Sequence, residues 1–151
     1  MITNLEQREI DYILENNYIG NLGYISQDKP FVVPITYYFD KEKNIIICYS
    51  GDGHKMNAMR KNNAVSLQVA DIDSVIDWRS VLVHGDFELH FASAAKSYLH
   101  QFSLGVKNII TKKEHHKPDF ISEFSSKIYN EEVPIVFTIK IKEITGRKRL
   151  K

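Results

Sequence analysis

The sequence is poor in several residues whose abundance would point to a particular class of protein. Its 151 residues include one cysteine, one tryptophan, four prolines and seven glycines. The single thiol, Cys48, excludes an intramolecular disulfide and fits a reducing compartment. No run of about 18 apolar residues occurs, so the sequence predicts no transmembrane helix.

The charge balance excludes some partners as well. With 20 basic and 19 acidic side chains the formal net charge is +1, so no overall field favours a nucleic acid or a membrane surface. The first dozen residues carry four charged side chains and lack the basic start and apolar stretch of a signal peptide, so a cytoplasmic protein is expected. The basic residues 147–151 are predicted to form a solvated tail or, alternatively, to reach an anion.

The chain length predicts one domain spanning residues 1–151. Its first segment, residues 4–16, is predicted to be an amphipathic helix that covers a barrel opening. Thr3 and Glu6 match a capping box, in which each side chain accepts a hydrogen bond from the other residue's backbone N–H. The apolar residues at near-helical spacing are Leu5, Ile10, Ile13 and Leu14.

Most of the remaining chain is rich in β-branched and aromatic residues, which favours strands. Gly85 marks a predicted bulge or bend. Antiparallel connections and a strand content above the helix content predict a mainly β fold with flanking helices, an antiparallel closed or split β-barrel. The predicted strands are 18–26, 31–39, 44–50, 64–70, 78–91 and 134–144; the short helices are 56–61, 92–102 and 118–124, and residues 105–117 are predicted to be a loop.

Neither the histidines nor Cys48 indicates a metal or a nucleophile. The six histidines lack the spacing of a zinc site, so no metal is predicted. Cys48 lies in an apolar strand and is interpreted as a buried structural thiol. Asp71 and Asp73 are interpreted as part of a solvated loop.

A glycine-containing turn, Gly51 to Lys55 (G-D-G-H-K), precedes the short helix and is the main chemical signal. Backbone N–H groups at a helix start, together with the Lys55 ammonium, favour an anion such as a phosphate. Gly51 and Gly53 are expected to take positive φ and let the backbone approach a ligand. Arg60 and Arg79 are possible additional cations, although such a turn is also common as a plain solvated turn.

Four segments occur in the order typical of one flavoprotein superfamily. They are P-F-V-V-P-I-T-Y-Y-F, I-I-I-C-Y-S, G-D-G-H-K and W-R-S-V-L-V-H-G. In this order the chain resembles the FMN-binding split barrels of the pyridoxamine 5'-phosphate oxidase-like superfamily. The resemblance covers most of the sequence and implies a homodimer with FMN sites at the interface.

The resemblance also implies roles for individual residues. The strand matching residues 32–36 runs along the flavin ring, and the residues matching His54 and Lys55 bind the phosphate. The strand matching residues 79–81 approaches the flavin, often across the dimer interface, and Gln68 is expected to add an amide from the partner subunit. The full set of implied cofactor-binding residues is Val33, Pro34, Ile35, Thr36, Tyr49, Ser50, His54, Lys55, Gln68, Trp78, Arg79 and Ser80.

The chain looks most similar to the branch related to nitroimidazole reduction and nitroimidazole resistance. Many members of that branch have a histidine where Ser50 stands here, and true pyridoxamine-phosphate oxidases have a C-terminal tryptophan that is absent here. The expected activity is therefore electron transfer from NAD(P)H through FMN to a small acceptor, without vitamin B6 oxidation as the main reaction. The alternatives are a non-enzymatic flavin carrier or sensor, a haem-binding split barrel, and a flavin-free interaction module in which Lys55 and Arg79 are far apart.

Overall fold

A computed structural model describes residues 1–114 and 135–151. Strands dominate, and three helices interrupt their succession within the described residues. In chain order they are β1 (Ile2–Asn4), α1 (Gln7–Glu15), β2 (Ile19–Ser26), β3 (Lys29–Asp40), β4 (Ile45–Ser50), α2 (His54–Lys61), β5 (Ala64–Ser74), β6 (Asp77–His90), α3 (Ala92–Glu114) and β7 (Ile135–Arg149).

The strands form one antiparallel sheet that closes on itself. The seven strands follow the order β1-β7-β4-β3-β2-β5-β6, and β7 also pairs with β6. This last pairing turns β2 to β7 into a ring, with β1 added beside the end of β7. The predicted fold class, a mainly β split barrel with flanking helices, is confirmed.

Alternation along the strands builds two apolar clusters. Inward-facing residues of β2 to β7, such as Leu22, Tyr37 and Val83, fill the barrel core together with the buried face of α1. A second cluster lies outside the barrel, where Phe102 and other residues of α3 cover β4 and β7. The outer surfaces of β4 and of the first residues of β7 are therefore covered, and ligand sites are expected on other parts of the sheet.

α3 is longer than predicted, so the loop predicted to begin at residue 105 is wrong as far as Glu114. Val106 and Ile110 continue the buried stripe of α3 by one and two further turns. Gly105 suggested a break, but it is the point where the helix approaches Tyr38, whose ring would lie 2.2 Å from an added Cβ. The rest of the predicted loop, the predicted helix 118–124 and residue 134 lie outside the described residues.

The predicted capping box is also wrong. α1 begins at Gln7, and its N-cap residue Glu6 makes no side-chain capping hydrogen bond. Thr3 belongs instead to β1, which pairs with residues 147–149. The first residues pair as a strand, so the helix begins at residue 7 and not at residue 4 as predicted. All four apolar residues predicted for this helix are nevertheless buried, as expected.

The basic segment near the C-terminus was predicted to be a solvated tail, but it belongs to strand β7 up to Arg149. Residues 147–149 pair with β1 on one side and β6 on the other. Lys148 pairs within the chain, its ammonium lying 2.9 and 3.0 Å from the two carboxylate oxygens of Glu9; the alternative, that this segment reaches an anion, stays a prediction. This ion pair fixes α1 to the last strand.

Two smaller predictions also require correction. Asp71 and Asp73 lie in β5, not in a solvated loop, and half-buried Asp71 accepts a hydrogen bond of 3.1 Å from Asn17. Gly51 and Gly53 do not adopt positive φ. Within residues 1–114 and 135–151, no helix combines the length and the apolar character that a bilayer crossing requires.

The bulge predicted at Gly85 is confirmed. The register between β6 and β7 shifts between His84 and Gly85, so that Lys142 is the extra residue of β7. A Cβ added at Gly85 would lie 2.3 Å from the carbonyl oxygen of Lys140, which is backbone and cannot rotate away. Glycine at this position therefore permits the close approach of the two strands that close the barrel.

We predict that Gly85→Ala lowers the free energy of unfolding by about 2 kcal/mol, because overpacking against backbone forces a local shift. Gly51→Ala is the matched control, since nothing lies within 4 Å of a Cβ at that position. Urea unfolding of the two flavin-free variants measures the difference. Equal midpoints for Gly85→Ala and the wild type would contradict this role for the glycine.

Candidate functional site

One face of the barrel carries exposed and half-buried side chains in direct cross-strand register. Pro34 of β3, Asn21 of β2, Gln68 of β5 and Leu82 of β6 form one row across four strands. Residues in register point to the same side of a sheet, so all four lie on its outer surface. We call the outward-facing side chains of β2, β3, β5 and β6 the open sheet face.

A chain of hydrogen bonds fixes the polar groups of the open sheet face. The Asn21 amide donates to Gln68 Oε1 at 3.0 Å, and the Gln68 amide donates to Ser80 Oγ at 2.9 Å. These bonds hold the Gln68 side chain along the surface between β2 and β6. A planar ligand on this face would meet amide and hydroxyl groups whose orientation is already set.

The two parts of β3 pair with different strands within the described residues. β2 pairs with β3 from Lys29 to Thr36, whereas β4 pairs with β3 from Tyr37 to Asp40. In the part of the chain that the structure describes, the first half of β3 therefore has a free edge, which is the split in the barrel. Unpaired backbone N–H and C=O groups at such an edge are available to another molecule.

The predicted residues of β3 point in two directions. Pro34 and Thr36 lie on the open sheet face, whereas Val33 and Ile35 pack into the barrel core. Val33 and Ile35 can therefore offer a ligand only their backbone groups. Pro34 stands in the half-paired part of the strand, where a missing backbone donor is tolerated.

The turn after β4 leads directly into α2. Gly53 is the N-cap residue of α2 and provides no side-chain cap for the first N–H groups. Lys55 is half-buried, and its ammonium has neither a hydrogen bond nor an ion pair within the described residues. Arg60 differs, because its guanidinium lies 3.6 Å from Asp52 and donates to Asn57 at 3.3 Å.

The imidazole of His54 is part of an aromatic cluster at the same end of the barrel. Its Nδ1 lies 2.9 Å from Tyr24 Oη, and its ring centre lies 4.9 Å from that of Phe31. Tyr24 and Phe31 stack on each other with ring centres 5.4 Å apart. The ring also lines a cavity of about 410 Å³ between α2 and the turn joining β2 to β3.

The other predicted residues lie in three different surroundings. Trp78 and Ser80 belong to the open sheet face, with Trp78 half-buried and paired with Ile72. Tyr49 packs against the cluster under α3. Ser50 is buried beside the turn, and its Oγ donates to the carbonyl oxygen of Gly51 at 3.1 Å.

Arg79 lies on the opposite side of β6 from Trp78 and Ser80. It has the same parity as the core residue Val81, and it lines a cavity of about 510 Å³ beneath α1. Its strand partner is Asp71, near the end of β5, whereas α2 and Lys55 precede the start of β5. Within one chain, Arg79 and Lys55 therefore lie toward opposite ends of the barrel.

Burial is the main cause of the shifted pKa values of Cys48 and His90. Burial raises the pKa of the Cys48 thiol well above its usual range, so the predicted structural thiol is confirmed. Burial lowers the pKa of His90, against a weaker opposite effect of Glu88. His90 Nε2 lies 2.8 Å from Thr138 Oγ1, and no group of three or more metal-ligand side chains occurs in residues 1–114 and 135–151.

Sequence reasoning missed Asn21, Tyr24 and Phe31. Asn21 orients Gln68, and the two aromatic rings hold His54. Side chains alternate along β2 and Leu22 points inward, so the sequence could have shown that Asn21 points outward. The sequence could not have shown that Asn21 lies beside Gln68, because this depends on the register between β2 and β5.

The order of segments, the closed ring and its half-paired strand together match a known family. Residues 6–148 match the pyridoxamine 5'-phosphate oxidase family. The chain belongs to this family. The match extends over α1 and nearly all of β7, so it includes both the open sheet face and the turn at Lys55.

Individual proteins show the same similarity. An uncharacterized protein of Rhizobium meliloti is 28% identical over 144 residues, covering 95% of this chain and 92% of its own. A FAD-binding protein of Mesorhizobium loti superimposes with a TM-score of 0.72 at 24% identity, covering 98% of each chain. A candidate 5-nitroimidazole antibiotic resistance protein of Bacteroides thetaiotaomicron gives 0.70 at 15% identity, covering 98% of this chain and 87% of its own. These structural similarities concern the fold.

Proposed function

We propose that this protein binds FMN as a homodimer and transfers electrons from NAD(P)H through the flavin to a small acceptor. The observation that carries the proposal is Lys55, a half-buried residue at a helix start without a side-chain cap, whose ammonium has no hydrogen bond or ion pair within the described residues. Family membership and a FAD-binding protein among the structural neighbours support a flavin as the ligand.

Lys55 suits a phosphate for electrostatic reasons. The Lys55 ammonium has no counter-charge within the described residues, so an anion beside it adds a favourable Coulomb interaction. The first N–H groups of α2 point in the direction that favours a negative charge. Open space around Gly51 and Gly53 leaves room for phosphate oxygens against the turn. His54 would add its backbone N–H, since its ring is bonded to Tyr24.

The free edge of β3 suits the polar edge of a flavin ring. Backbone N–H and C=O groups of residues 33–36, among which Pro34 offers only its C=O, would pair with the uracil-like edge of a flavin. Gln68, held by Asn21 and Ser80, would face the ring with fixed amide orientation. Pro34 and Thr36 would lie under the ring, so binding would need little rearrangement of the free protein.

The open sheet face suits a second copy of the chain. Ile19, Val32 and Ile72 are exposed there, with Val32 exposed to 69%, and Trp78 is half-buried beside them. Exposed apolar residues that share one face mark an interaction surface. A two-fold arrangement would cover these side chains and enclose each flavin between two chains. Trp78, Ser80 and Gln68 would then contact the flavin bound to their own chain or the flavin bound to the partner subunit.

The bound flavin would supply hydride and electron transfer, and the protein would supply binding and orientation. Arg79 and Tyr49 were predicted from the family resemblance, but their surroundings in one chain do not favour direct flavin contact. No acid or base residue is assigned, because hydrogen bonds from the β3 edge and Gln68 suffice to orient the ring. Ser50 in place of a histidine and the absence of a C-terminal tryptophan argue against nitroimidazole or vitamin B6 specificity.

We predict that Lys55→Ala weakens FMN binding by about 2 kcal/mol, roughly 30-fold, because it removes a charge-assisted hydrogen bond to the phosphate. Arg60→Ala is the matched control, since Arg60 is also on α2 but already pairs with Asp52 of the preceding turn. Titration followed by flavin fluorescence measures both, and a parallel titration with FAD tests the flavin type. An unchanged affinity in Lys55→Ala would exclude this phosphate site.

A Soret band in the absorbance spectrum of the purified protein would favour haem over flavin as the cofactor.

We predict that Val32→Asp converts the dimer to a monomer and weakens FMN binding at least tenfold, because the charge would be buried at the interface. Leu104→Asp on α3, also exposed, is the control and should leave both properties unchanged. Sedimentation velocity gives the oligomeric state. A wild-type monomer that binds FMN tightly would contradict the shared site.

We predict that the FMN-loaded protein oxidises NADH or NADPH faster than the same concentration of free FMN, because it orients the ring for hydride transfer. Oxidation is followed at 340 nm with small electron acceptors, and Lys55→Ala at subsaturating FMN should lose the activity in proportion to bound flavin. Turnover no faster than free FMN, with tight FMN binding retained, would identify a flavin carrier or sensor instead of an enzyme.

A further inference from the structure

The cavity beneath α1 is built from charged residues that the proposed flavin site does not use. Its volume is about 510 Å³. It opens between α1 and the strand ends at which β5, β6 and β7 meet. Its polar and aromatic lining consists of Arg8, Glu9, Tyr12, Asp71, Arg79 and Lys148.

Three of these side chains form one row across the sheet. Asp71, Arg79 and Lys148 are direct cross-strand neighbours on β5, β6 and β7. They point to the inner side of the barrel wall, the side on which Val81 packs into the core. The apolar filling of the barrel thus ends in a charged layer, which α1 only partly covers.

The charges of this row are not equally satisfied. Lys148 is paired with both carboxylate oxygens of Glu9, and Asp71 accepts a hydrogen bond from Asn17. Arg79 has a single long contact in the described part of the chain, 3.8 Å to Asp77, and its side chain is 38% exposed. Most of its five N–H donors therefore face the cavity or solvent.

An apolar wall lies beside this guanidinium. Tyr12 and Ile13 of α1 border the cavity, and Tyr12 is 65% exposed, so one face of its ring is open to a ligand. A planar guanidinium binds a carboxylate or sulfonate through two parallel hydrogen bonds. An exposed tyrosine provides a stacking surface for an aromatic ring.

We propose that this cavity binds a small aromatic anion, with its carboxylate or sulfonate on Arg79 and its ring against Tyr12. The site is separate from the proposed flavin site, because Arg79 lies on the inner side of β6 and toward the other end of the barrel from Lys55. It therefore adds a second ligand to the protein and does not depend on flavin binding. Asp71, in the same row, disfavours anions and limits the affinity.

The test uses 8-anilinonaphthalene-1-sulfonate, whose sulfonate and aromatic rings match the cavity. In fluorescence titrations of the full chain, Arg79→Gln should weaken the saturable binding at least tenfold, and Tyr12→Ala several-fold. Asp71→Asn should tighten binding about threefold, because it removes a negative charge next to the sulfonate. Lys61→Gln, which lines the 410 Å³ cavity, is the control and should leave the affinity unchanged.

Opposite effects at Arg79 and Asp71 exclude a simple loss of structure as the cause, and Tyr12→Ala alters a side chain that is mostly exposed. The proposal is wrong if the wild type shows no saturable binding, or if Arg79→Gln and Tyr12→Ala both bind the probe with wild-type affinity. FMN titrations of the same variants separate the two sites. An unchanged FMN affinity in Arg79→Gln supports a separate site, whereas a tenfold loss would assign Arg79 to the flavin and overturn the proposal.

Discussion

The fold depends on the pairing of β7 with two strands at once. Residues 135–140 pair with β4, and residues 136–149 pair with β6, so β7 joins the two ends of an otherwise open sheet. Gly85 makes this possible at the bulge, where β6 approaches the Lys140 backbone too closely for a side chain. Once the ring is closed, strand alternation separates an apolar inside from an outside that α3 covers only in part.

Closure also determines where ligands can bind. With β4 held against β7, the first half of β3 is left with a single described neighbour, β2. The same geometry brings the end of β4, the turn at Gly51–Gly53 and α2 to one end of the barrel, while α1 lies over the Arg79 row. The two candidate sites lie at two places where the described residues leave the ring incompletely covered, and each contains one cation with few partners among those residues.

Local sequence patterns predicted where the strands and helices lie better than they predicted which elements contact one another. The alternation of β-branched residues located the six long strands, and Gly85 located the bulge, because both signals lie within one segment. Gly105 misled the prediction of α3, because a glycine is needed there for the close contact with Tyr38, a residue distant in sequence, and not to end the helix. Thr3 misled the prediction of α1, because pairing with β7 outweighed a local cap.

Only the local features of the candidate site could be predicted from the sequence. Lys55 at a helix start was readable from five residues, and the resemblance to a family added Gln68 and Ser80. The free edge of β3 and the amide chain through Asn21 depend on sheet register, which no local pattern displays. The inward direction of Arg79 was readable in principle, since it shares its parity with Val81 and Val83 in the same strand.

The late position of β7 in the chain has a consequence for folding. β7 lies about 90 residues after β4, its partner in the ring, and this separation follows from residues 45–50 pairing with 135–140. Ring closure therefore carries a high entropic cost and is expected to be slow. During synthesis on the ribosome, the open sheet must persist until residue 149 has emerged, with the edges of β4 and β6 unpaired. In that interval the chain exposes two strand edges to other molecules, and an early-binding partner or chaperone would act there.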